Sequence, residues 1–101
     1  MNYTCFFEKR ADLLAFLRSC DVLENIRWRS RDMPSQYTPS SAYDGITVTP
    51  EGLLCALSRN VDSFTGKIIS PSLFYGVLKA KNEGRPLESA FTAQLELDFG
   101  G

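Results

Sequence analysis

Apolar residues at the start of the chain fall on alternate positions. Tyr3, Cys5 and Phe7 share one side of an extended segment over 2–8, and Phe6 adds apolar weight to the other. That period of two predicts a strand. From residue 10 the spacing lengthens. Leu13, Leu14, Leu17 and Cys20 recur at helical intervals with Phe16 at the margin, which predicts a helix over 10–20. Asp12, near its start, complements the helix dipole. Residues 25–31, "NIRWRSR", alternate again, with Ile26, Trp28 and Ser30 on one side and Arg27, Arg29 and Arg31 on the other. A helical continuation of "DVLEN", with Val22, Leu23 and Ile26 inward, competes with this pattern. The alternation is the cleaner of the two, so a strand is predicted.

Residues 32–45, "DMPSQYTPSSAYDG", carry two prolines and a closing Asp-Gly and read as a long loop. A short strand, "ITVT", follows over 46–49. Thr49-Pro50-Glu51 then has the form of a helix start, with a hydroxyl N-cap, proline in the first position and an acid in the first turn. It predicts a helix through "GLLCALSRN" with Leu53, Leu54 and Leu57 together and Asn60 at its end. Residues 61–69 form a connector with a short strand around 67–69. Ser70-Pro71 repeats the cap-then-proline signature, and Leu73, Phe74, Val77 and Leu78 face inward along a second helix that Gly84 terminates. Gly76 inside that helix either weakens it by up to ~1 kcal/mol or admits a close contact. From Phe91 to Phe99 every second residue is apolar, the pattern of a last strand. The predicted order is β-α-β-β-α-α-β in one domain over 1–101. It implies an α+β class: an antiparallel or mixed sheet of about four strands with two or three helices on one face. The split β-α-β of the ferredoxin-like arrangement fits this order.

Composition narrows the function classes. The chain has 101 residues and is 44% hydrophobic, enough for one core without staples. Eleven basic residues against twelve acidic ones give a net charge of −1, which argues against a general polyanion binder. No apolar run approaches the ~20 residues of a bilayer crossing. In "MNYTCFFEKR" the charges follow the apolar residues, the reverse of a signal peptide, so a cytoplasmic location is expected. Cys5, Cys20 and Cys55 are odd in number, far apart and flanked by apolar residues, which reads as buried free thiols rather than a disulfide framework.

The chain contains no histidine. Catalytic arrangements built on imidazole are therefore impossible, and the commonest ligand of catalytic zinc is missing. No CxxC pair or glycine-rich phosphate loop is present, and Cys55 sits in apolar "LLCAL", where a thiolate is disfavoured. No catalytic residue, metal site or cofactor is expected. Action through a binding surface is.

Two segments are candidates for that surface. As a strand, "RWRSR" projects Arg27, Arg29 and Arg31 one way at ~6.6–7 Å spacing, near a nucleic-acid phosphate repeat. Arginine grips phosphates bidentately, and Trp28 could stack on a base if exposed. The same residues, with Tyr37 and Tyr43 of the loop, are equally the anchors typical of protein interfaces. The alternative is a solvated strand face with Trp28 in the core and the arginines paired to Asp21, Glu24 and Asp32. The second candidate is the C-terminal "QLELDF". Gln94, Leu95, Leu97 and Phe99 resemble the peptide by which many bacterial replication and repair proteins grip the DNA sliding clamp. The resemblance implies that Gln94 would hydrogen-bond at the pocket mouth while Leu97 and Phe99 fill an apolar cleft. Asp98, between Leu97 and Phe99, departs from the common Leu-Phe ending. Leu97 and Phe99 cannot serve a core strand and a partner's pocket at once.

The reading is a small non-enzymatic cytoplasmic interaction protein. It would act on a protein partner, with nucleic acid or a second copy of itself as alternatives. Chains of this kind occur among phage and mobile-element regulators, including inhibitors that bind host complexes.

Overall fold

Alternating and helical periods are both realised in the computed structural model, which describes residues 1–29, 43–59 and 66–91. The elements are β1 (Tyr3–Phe6), α1 (Arg10–Ser19), a 3-10 helix (Asp21–Asn25), β2 (Arg27–Trp28), β3 (Gly45–Val48), β4 (Leu53–Leu57), β5 (Lys67–Ile68) and α2 (Pro71–Asn82). The strands form one sheet in the order β2-β4-β3-β1-β5. β1 and β4 pair antiparallel with β3, while β2 joins β4 and β5 joins β1 in parallel. The class is α+β with a mixed sheet, as the sequence pattern implies.

One side of the sheet makes the core. Register brings Cys5 opposite Ile46 and Tyr3 opposite Val48, and Val48 in turn opposite Leu54. These side chains are buried with Leu13 of α1 and with Phe74, Val77 and Leu78 of α2. A chain of rings links the layers: Phe7 lies 5.4 Å from Phe16 of α1, and Phe16 lies 6.1 Å from Phe74 of α2. Each such buried side chain contributes ~1.5–3 kcal/mol through removal of apolar surface from water. Ser70 caps α2 by accepting from the Leu73 amide, with Pro71 in the first turn. Gly76 allows a close approach: a Cβ there would stand 3.4 Å from that of Ala90.

The opposite side carries Thr4, Thr47 and Cys55 in one cross-strand row. The two threonines are buried, and their hydroxyls bond each other at 2.6 Å. Thr47 also donates to the Tyr3 carbonyl, so neither hydroxyl loses its partner on burial.

Three expectations are corrected. The helix expected after Thr49-Pro50-Glu51 is strand β4. The Gly52 amide donates to the Thr49 carbonyl and the Thr49 amide to the Leu53 carbonyl, so residues 49–52 are the tight turn of a β3–β4 hairpin. Pro50 takes the second turn position, and Gly52 has φ +85, a conformation only glycine adopts cheaply. "LLCAL" reads as an unbroken apolar run because β4 lies inside the sheet, between β2 and β3. The ferredoxin-like arrangement is also absent: it requires β1 parallel to its central neighbour, whereas β1 pairs antiparallel with β3. Finally, Phe91 does not open a strand. It lies in a helical turn in which its amide bonds the Glu88 carbonyl, and its ring packs 5.2 Å from that of Tyr3. The rest of the strand expected over 91–99 lies outside the described residues.

Candidate functional site

β2 sits at one edge of the sheet and is built from both directions. Ile26 is buried and Trp28 packs half-buried against the core cluster, so the inward side chains hold the strand down. Arg27 and Arg29 point the other way and are exposed. This is the alternation expected from the sequence. The Arg27 amide donates to the Gly52 carbonyl at 3.3 Å and the Arg29 amide to the Leu54 carbonyl at 3.1 Å. Backbone polarity alternates along a strand, so the N–H and C=O of Trp28 are directed away from β4. Among the described residues no strand pairs with β2 on that side.

Two further contacts fix the edge. Tyr75 of α2 donates its hydroxyl to Asp21 at 2.7 Å, tying the helix to the 3-10 helix that delivers the chain into β2. That hydrogen bond to a carboxylate, reinforced by desolvation, pushes the Tyr75 phenol above its ordinary pKa. Lys81, at the far end of α2, donates to the Pro50 carbonyl in the hairpin turn whose next residue but one, Gly52, bonds Arg27. Glu51, exposed on that turn, is held ionised to lower pH by its own backbone amide and then by the Thr49 hydroxyl.

Tyr43 is half-buried and lies immediately before β3, with β4 standing between that strand and β2 in the sheet. The structure therefore does not place it beside Arg27 in the sheet. Arg31 and Tyr37 lie outside the described residues, as do Gln94, Leu95, Leu97 and Phe99 of the clamp-like segment. Trp28 has its ring turned toward the core, which removes the exposed stacking platform that base recognition would need.

Sequence reasoning did not single out Arg59. Its backbone amide and Nε donate to the Asp44 carboxylate at 3.0 and 3.1 Å, and its terminal nitrogen donates to the Phe7 carbonyl at 2.8 Å. The guanidinium carbon lies 5.0 Å from the centre of the Phe6 ring. The cluster clasps the ends of β1, β3 and β4 and satisfies Arg59 internally. It reads as a structural clasp rather than a ligand site.

The thiols are buried at all three positions and unpaired as disulfides. Burial pushes Cys5 up to about 11 and also raises Cys20, so neither is an activated nucleophile. Among the described residues no group of three metal-ligating side chains comes together, and no helix is long and apolar enough to cross a membrane. No family model matches this chain, and no curated protein or solved structure is detectably similar to it.

Proposed function

We propose that the chain is a non-enzymatic interaction protein that engages a protein partner through the edge formed by β2. The observation that carries this reading is the two-sidedness of β2: Trp28 anchored inward, Arg27 and Arg29 exposed outward, and a backbone directed off the sheet edge. A pinned strand presenting two guanidinium groups loses little freedom on binding. With Trp28 turned inward, two arginines on a chain of net charge −1 make a thin nucleic-acid site, and a protein surface is the better match. Three buried free cysteines suit a reducing, cytoplasmic setting. Regulation or inhibition of a larger assembly, as phage and mobile-element accessory proteins exert it, is the role such a module fits.

The test is affinity capture from a lysate of the source organism with and without nuclease. The expected result is a partner that survives nuclease and is lost with the double variant R27E/R29E. Capture that disappears on nuclease treatment would assign nucleic acid instead. Capture indifferent to the double variant would move the interface away from β2.

A further inference from the structure

We draw no further inference here: the strongest candidate, the apolar surface that Ile68 of β5 exposes at the other end of the described strand order, carries nothing because nothing in the structure shows what covers it.

Discussion

Cys5 shows how a single buried group reports on the whole fold. Its side chain has no solvent exposure, and its thiol is pushed up to about 11 by desolvation alone. Between the ordinary thiol value of 9.0 and that raised value, the unfolded chain has lost the proton while the folded chain keeps it. The folded state then binds more protons, so stability falls as pH rises. The contribution is intact below about pH 9, declines through the interval and is gone above about 11. Urea titrations across this range should show a decline on the order of 2 kcal/mol from this site, which Cys5→Ala removes. An unchanged pH slope in the variant would mean that the thiolate is not excluded from the core.

Among the elements, the hairpin between β3 and β4 discriminates most sharply, because two local readings predict opposite signs for one substitution. If residues 49–60 were a helix, Gly52→Ala would stabilise it by up to ~1 kcal/mol through helix propensity. In the turn that exists, Gly52 holds φ +85 and a Cβ there would press on the Lys81 side chain. Gly52→Ala is therefore expected to destabilise by about 1–2 kcal/mol in chemical denaturation. The turn also shows where sequence reasoning stops. Thr-Pro-Glu satisfies a helix start and a tight turn equally well, and "LLCAL" is short and apolar on both sides, so it has neither period. Only β2 and β3, far away in sequence on one side, settle it as a strand. By contrast β1, α1, β3 and α2 were legible because in each the apolar residues recur with a period of their own, even where, as at Thr4 and Thr47, the polar side is buried too. The Arg27–Arg29 side of β2 was legible for the same reason. The Asp44–Arg59 clasp was not, because its partners are brought together by the β3–β4 pairing and share no local pattern.

At the scale of the whole molecule, the proposed binding surface and the core are parts of one sheet. The sheet is assembled from distant segments: Tyr3 pairs with Val48, and among the described residues β2 joins the sheet through β4. A short edge strand attached this way could open by itself, and an edge that opened early would be a poor preformed surface. Two contacts oppose that: Trp28 packs on the common core cluster, and Tyr75 ties α2 to the segment leading into β2. The chain has one tryptophan, so its fluorescence reports the edge while far-ultraviolet circular dichroism reports the whole. The two unfolding transitions should coincide in midpoint and slope, as cooperative unfolding of a small domain requires. Tyr75→Phe removes only the hydroxyl that holds Asp21, and it should draw the fluorescence transition to lower denaturant than the dichroism. An early fluorescence transition in the unaltered protein would show instead that β2 is a separate, weakly held unit. Its arginines would then have to be ordered by any partner that bound them, at a cost in affinity that a pinned strand avoids.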